Sequence, residues 1–204
     1  MPVVEKKRRI GLFGGAFDPP HLAHEALVKT AISELALDRL LVVPTGRAWH
    51  KPRELTPAVH RLAMTQLAFA HCPQVTVDAQ EIERSGPSYT IDTLRVVAAS
   101  EPDAQLFLIM GGDQANTLTT WHDWQEILQL ATICVAFRAD STKGSTLFES
   151  EKMVSQRFIQ LNMPAMPLSA TQIRASLSAG QTANTLVSEA VARYIADHHL
   201  YQSN

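Results

Sequence analysis

Ile10-Gly11-Leu12-Phe13-Gly14-Gly15-Ala16-Phe17-Asp18-Pro19-Pro20-His21-Leu22-Ala23-His24 is the stretch from which the fold can be read. Ile10 to Phe13 is a short apolar run halted by two glycines, which predicts a strand followed by a turn. From His21 to Leu37 apolar residues recur at Leu22, Ala26, Ala31 and Leu35, the spacing of a helix. The unit is strand, glycine turn, helix, and it recurs along the chain. Leu40–Val43 reads as a buried strand stopped by Pro44-Thr45-Gly46. A helix follows on Leu62, Leu67 and Ala70, then a strand at Val75–Val77 and a helix on Ile91, Leu94, Val97 and Ala98. Leu106–Met110 is the clearest strand and ends at Gly111-Gly112. Leu118 to Ala131 reads as helical with a break near Trp121, and Ile133–Phe137 and Phe158–Leu161 read as strands. Two terminal helices are expected, about Ala170–Ala179 and Ser188–His199; residues 139–157 are polar and carry no assignment. Strands alternating with helices predict a doubly wound α/β fold on a mostly parallel sheet, with a small C-terminal helical part. The unbroken apolar runs fit strands covered on both faces. Ligands of such sheets bind beyond the strand C-terminal ends, where strand order reverses.

The 204 residues suit a single domain over 1–204, and 46% hydrophobic against 19% charged residues is enough to bury a core. A net charge of −2 argues against broad nucleic-acid binding, while leaving room for a local phosphate site. Cys72 and Cys134 form no CxxC pair, which fits a reducing cytoplasm. No apolar run reaches membrane-spanning length. The basic run Lys6-Lys7-Arg8-Arg9 leads into an apolar stretch broken at Gly14-Gly15, which is not a signal-peptide core. Oligomeric state cannot be read.

Chemistry concentrates at two places. Gly14 and Gly15 let backbone approach a ligand, and Pro20 suits the first position of a helix. His21 and His24, three apart, project from one side of the first helical turn, whose N–H groups attract anions. The alternatives are two solvent-facing histidines, or a zinc site. For zinc no further ligand stands at the right spacing, so no metal ligands are expected. The second place is Ser169-Ala170-Thr171-Gln172-Ile173-Arg174. Ser169 and Gln172 have capping-box spacing, and two hydroxyls and an arginine share that helix mouth. Neither G-x-x-x-x-G-K-[ST] nor G-x-G-x-x-G occurs, so neither a P-loop NTPase nor a standard dinucleotide oxidoreductase is supported.

Gly14-Gly15-x-Phe17-x-Pro19-x-His21-x-x-His24 together with Ser169-x-Thr171-x-x-Arg174 resembles the nucleotidyltransferase superfamily with the (H/T)xGH signature. Pro87-Ser88-Tyr89-Thr90-Ile91-Asp92-Thr93-Leu94, Gly111-Gly112-Asp113, Leu118-x-x-Trp121 and the ending Val191-x-x-Tyr194-Ile195 with Leu200-Tyr201 narrow the resemblance. They are similar to bacterial nicotinate-nucleotide adenylyltransferases over nearly the whole chain. Three departures stand out: Ala23 where the signature has Gly, His122 where Tyr is familiar, and Arg138-Ala139-Asp140 where Arg-Pro-Gly is common.

The resemblance implies adenylyl transfer from ATP to nicotinate mononucleotide in NAD biosynthesis. It implies that His21 and His24 meet the ATP phosphates, with Arg174, Ser169 and Thr171 at the leaving end. Gly14, Gly15, Ala16, Phe17, Gly111 and Asp113 would complete the ATP site, Asp113 on the adenosine side. Lys51, Tyr89, Thr90, Ile91, Trp121 and His122 would receive the mononucleotide. Mg²⁺ would accompany ATP, and neither nucleic acid nor membrane is an expected partner. Asp113 could instead cap a helix. Trp121 could instead be core, although Trp124 is the better core candidate. Another acceptor, nicotinamide mononucleotide or phosphopantetheine, and a silent nucleotide-binding module remain alternatives. Met110, Met153, Met163 and Met166 read as packing or loop residues.

Overall fold

The computed structural model describes residues 7–46, 54–136, 157–164 and 166–202. Six strands form one sheet: β1 (Arg9–Gly15), β2 (Arg39–Pro44), β3 (Val75–Val77), β4 (Gln105–Gly111), β5 (Ala131–Ala136) and β6 (Phe158–Leu161). All neighbouring pairs are parallel, in the order β3-β2-β1-β4-β5-β6. The order reverses between β1 and β4, which places the crevice at their C-terminal ends.

Alternation along each strand divides the core. Phe13 on β1 and Phe107 and Ile109 on β4 face one side, against Leu27, Val28 and Ala31 of α1 (Leu22–Glu34). Met64 and Ala68 of α2 (Ala58–Phe69) pack on that face too. Ile10 and Leu12 on β1, with Leu106, Leu108 and Met110 on β4, face the other. There they meet Ile91, Leu94 and Val97 of α4 (Thr90–Ser100) and Ile127 of α6 (Trp124–Leu130). Short helices α3 (Gln80–Glu83) and α5 (Gly112–Ala115) lie between. The terminal helices α7 (Ala170–Ser178) and α8 (Glu189–Asp197) close over the first face through Ile173, Val191 and Ile195.

The expected elements are present, with differences at their edges. α1 stops at Glu34, because Ala36 adopts a left-handed conformation with φ 45°. Pro20 does not start α1: extended His21 (φ −145°, ψ 169°) is its N-cap. α2 buries Arg61, Met64, Thr65 and Ala68, a stripe offset by one residue from the expected Leu62 and Leu67. The predicted break near Trp121 is real: a single 3₁₀ turn, Leu118–Thr120, precedes it, and α6 starts at Trp124. Helices α3 and α5 were not anticipated, since four-residue turns leave no periodic signature. Phe137 and the polar 139–157 stretch, apart from Arg157, lie outside the described residues. No helix among the described residues is long and apolar enough to cross a membrane.

Gly46, just beyond β2, lies so close to α3 that a Cβ there would fall inside the carbonyl of Glu81. Backbone cannot yield as a side-chain tip can. Gly46→Ala is therefore expected to cost about 2 kcal/mol or more and to lower the melting temperature by roughly 4–8 °C. Thermal unfolding followed by circular dichroism checks this.

Candidate active site

β1 ends at Gly15, and the loop Ala16–Pro20 leads to α1 at the switch point. Phe17 has φ 47°, and its ring is buried edge-on to Phe13 (5.4 Å) and Phe69 (6.4 Å). A Cβ on Gly15 would press to 3.1 Å from that ring, so glycine is what lets the loop close over it. Phe17 can thus offer a ligand only its backbone. Its ring supports His24 at 5.1 Å, and the His21 and His24 imidazoles stack at 3.6 Å and 18°.

The His21 backbone N–H donates to Nδ1 of His24 at 3.2 Å. With Nδ1 accepting, neutral His24 carries its proton on Nε2 and is a donor at the far edge of the ring. The mouth of α1 is less open than the sequence suggests. The N–H of Leu22 donates to the carbonyl of Leu186 (3.1 Å), and that of His24 to the carbonyl of His21 (2.8 Å).

Arg174 comes to this loop from 156 residues away. Its Nη1 donates to the Asp18 carbonyl at 2.7 Å and its Nη2 to Thr171 Oγ1 at 3.1 Å. Ser169 caps α7 by accepting the Gln172 N–H at 3.3 Å, and its hydroxyl donates to Gln172 Oε1 at 2.9 Å. The Gln172 side chain therefore bonds the Ser169 hydroxyl itself, a variation on the capping box. Asp113 is exposed on the first turn of α5, whose N-cap is Gly111; the helix-cap role falls to the glycine position.

Beside the loop Ala16–Pro20, a cavity of about 390 Å³ opens at the ends of β1, β2 and β4. Gly14, Gly15 and Ala16 form the border with the histidine end, and Tyr89, Thr90, Trp121 and His122 form the far walls. The rings of Tyr89 and His122 approach to 4.5 Å. The first intrahelical donors of α4 are Asp92 and Thr93, both to the Tyr89 carbonyl, so the N–H groups of Thr90 and Ile91 stand at the helix mouth. The Ile91 side chain is fully buried in the core, leaving its backbone as the part that can meet a ligand. Trp121 packs against the core and also lines the cavity. Trp124 is half-buried and belongs to neither core cluster, contrary to expectation. Lys51 lies outside the described residues.

A cytidylyltransferase-like family model matches residues 12–176. A protein of Albidiferax ferrireducens named "Probable nicotinate-nucleotide adenylyltransferase" is 62% identical over 196 residues, covering 96% of this chain and 99% of the relative. One of the same name from Methylibium petroleiphilum is 46% identical over 200 residues, covering 96% and 93%.

The chain belongs to the nicotinate-nucleotide adenylyltransferase family.

The fold agrees. The nicotinic acid mononucleotide adenylyltransferase of Plasmodium falciparum, solved with NaAD, superposes with a TM-score of 0.77 at 20% identity, covering 95% of this chain and 97% of that one.

Several residues that build this adenylyltransferase site escaped sequence reasoning. Arg61, 1% exposed, donates to the carbonyls of Thr56 (2.9 Å), Ala16 (2.9 Å) and Gly46 (3.2 Å). The signal was a charge on the apolar stripe of α2. Arg95 joins the cavity walls by bonding Asp92 and Glu126 and, at 2.9 Å, Asp123. Asp123 holds a left-handed conformation (φ 50°) and follows His122, whose Nε2 is 3.5 Å from its carboxylate. Arg95 in turn depresses the Glu126 pKa by its hydrogen bond.

Glu81 lines the cavity and accepts the Thr93 hydroxyl at 2.8 Å. Burial pushes its carboxyl above the ordinary value of 4.5, outweighing that hydrogen bond. The folded chain then holds the Glu81 proton more tightly than the unfolded chain does. Glu81 costs nothing below the unfolded pKa, and its ionisation erodes stability as pH rises from 4.5 through the folded value. Glu81→Gln keeps an acceptor for Thr93 and cannot ionise. Its stability relative to wild type should therefore climb with pH across that window, as read from urea unfolding at a series of pH values; a constant difference would contradict the shift.

Proposed function

We propose that this chain transfers the adenylyl group of ATP to nicotinate mononucleotide, releasing pyrophosphate and forming nicotinate adenine dinucleotide. The observation that carries the reading is a two-ended site. Stacked His21 and His24 with Arg174 stand at one end, an aromatic-walled cavity with a helix mouth at the other, and both meet at Gly14–Ala16.

The mononucleotide phosphate attacks the α-phosphorus of ATP. The bond from α-phosphorus to the bridging oxygen breaks, and pyrophosphate leaves with that oxygen's electrons. The attacking phosphate is already an anion, so no protein base is required. Catalysis is positioning and charge stabilisation. In this reading His24 donates from Nε2 to the α-phosphoryl oxygens as charge develops there. His21 adds a second contact, and Arg174 with Ser169 and Thr171 receives the β- and γ-phosphates. Mg²⁺ would accompany ATP and would supply charge neutralisation at its phosphates. Among the described residues no three His, Cys, Asp or Glu side chains gather to hold a metal themselves. A cytoplasmic setting goes with the two free cysteines; burial pushes the Cys134 thiol up to about 12, so it stays protonated.

The test is incubation with MgATP and a panel of mononucleotides and phosphopantetheine while pyrophosphate is measured. Turnover with nicotinate mononucleotide supports the reading, and turnover with phosphopantetheine alone replaces the acceptor. The acid should be preferred over the amide by at least ~10²-fold in kcat/KM. The Thr90 and Ile91 N–H groups bind a carboxylate by charge-assisted bonds, and an amide NH₂ leaves them unpaired.

His24→Ala should lower kcat by about 10²-fold or more with little change in ATP affinity, the pattern of a donor felt mainly in the transition state. Steady-state kinetics decide it, and normal turnover removes His24 from the phosphoryl step. Arg174→Ala should raise KM for ATP about tenfold and leave that for the mononucleotide unchanged. The reverse pattern would exchange the two phosphate sites.

A further inference from the structure

The C-terminal turn lies far in sequence from every group assigned above, yet it reaches into the phosphate loop. Beyond α8 the chain folds back through His199 (φ 50°) and Tyr201 (φ 64°), with the Leu200 N–H bonded to the Ile195 carbonyl at 3.0 Å. Two non-glycine residues in left-handed backbone so close together are unfavourable by themselves, and tertiary contacts must hold them. The contact at the tip is the Tyr201 hydroxyl, which donates to Asp18 Oδ1 at 2.7 Å. The other carboxylate oxygen of Asp18 accepts the Thr56 N–H at 3.3 Å. Asp18 is 1% exposed, and its carbonyl seats Nη1 of Arg174 at 2.7 Å.

We infer that Tyr201 is a positioning residue for the ATP-phosphate end of the site, acting through Asp18 on Arg174 without touching substrate. The inference rests on the reading of Arg174 as a ligand of the ATP phosphates. The buried Asp18 carboxylate must stay hydrogen-bonded. Removing the Tyr201 hydroxyl takes the 2.7 Å donor from Oδ1, and the Arg174 guanidinium on the same residue's carbonyl is a cation able to replace it. Drawn onto the carboxylate, Arg174 leaves the direction in which it would meet phosphate. Burial and the charge of Asp18 both raise the Tyr201 pKa, which keeps the phenol a donor at working pH.

The test is Tyr201→Phe in the full chain, which keeps the ring and removes the hydroxyl. KM for ATP should rise about tenfold, the size of one lost charge-assisted bond, while KM for nicotinate mononucleotide holds within twofold. Calorimetric titration with α,β-methylene-ATP should show the same loss of affinity and needs no turnover. In an Arg174→Ala background Tyr201→Phe should add less than twofold to KM for ATP, because the route is already cut. An unchanged ATP affinity overturns the inference. So does an additive effect in the double variant, or a parallel rise of both KM values with a falling melting temperature, which marks general loosening. A wild-type chain that releases no pyrophosphate with any mononucleotide refutes the proposed reaction instead, and the titration with the ATP analogue still decides the role of Tyr201.

Discussion

Arg61 is a nearly fully buried guanidinium spent on backbone. It donates to the Ala16 carbonyl in the loop after β1, to the Gly46 carbonyl just beyond β2, and to the Thr56 carbonyl leading into α2. A buried cation is costly unless its donors are met, and here loops provide the acceptors. Those loops would otherwise hold carbonyls with no ladder partner. The ends of β1 and β2 are thereby fixed relative to one another, and the cavity between them has a defined border. Removing this side chain would leave three carbonyls, all of partly buried residues, short of a donor at once, a larger loss than a surface ion pair could cause.

On that frame the loop between β1 and α1 is built to be rigid. Phe17 is driven into the core with positive φ, and its ring supports the His24 imidazole. The His21 backbone sets the His24 tautomer. Asp18 accepts from Tyr201, the Thr56 backbone and Arg174. Donors that stabilise a transition state act best when they are already oriented before substrate arrives. His24 is held by near neighbours, the Phe17 ring and the His21 backbone, and Arg174 by the Asp18 carbonyl 156 residues away.

The cavity beside that loop is held more lightly. Its walls, α4 and the segment around Trp121–Asp123, are tied by Arg95 to Asp92, Asp123 and Glu126 at the surface. Exposed pairs are individually weak and screened by salt. A network of them around one guanidinium fixes direction more than it adds stability. Tyr89 and His122 bring these two walls together, their rings 4.5 Å apart. The histidine end is thus anchored by buried groups, and the cavity by a surface clamp.

The alternation of apolar runs and helical stripes determined the doubly wound sheet, since burying both faces of parallel strands demands continuous apolar strands and amphipathic covers. Local chemistry likewise determined which turns matter. Paired glycines before Phe17, histidines three apart at a helix start and a Ser-x-Thr-x-x-Arg cap are short-range patterns, and short-range geometry follows from them. What only the tertiary structure decided is which distant groups complete those turns. That Arg61 on α2 faces inward to three carbonyls, that Glu81 on a four-residue helix is buried beside the cavity, and that Tyr201 closes on Asp18 follow from none of their neighbours. The same holds for Trp121 lining the cavity while Trp124 stays outside both core clusters. Periodicity reports which face of an element is apolar. It carries no information about a polar side chain whose partner is a backbone carbonyl many residues away, because that pairing exists only once the sheet has brought the two ends together.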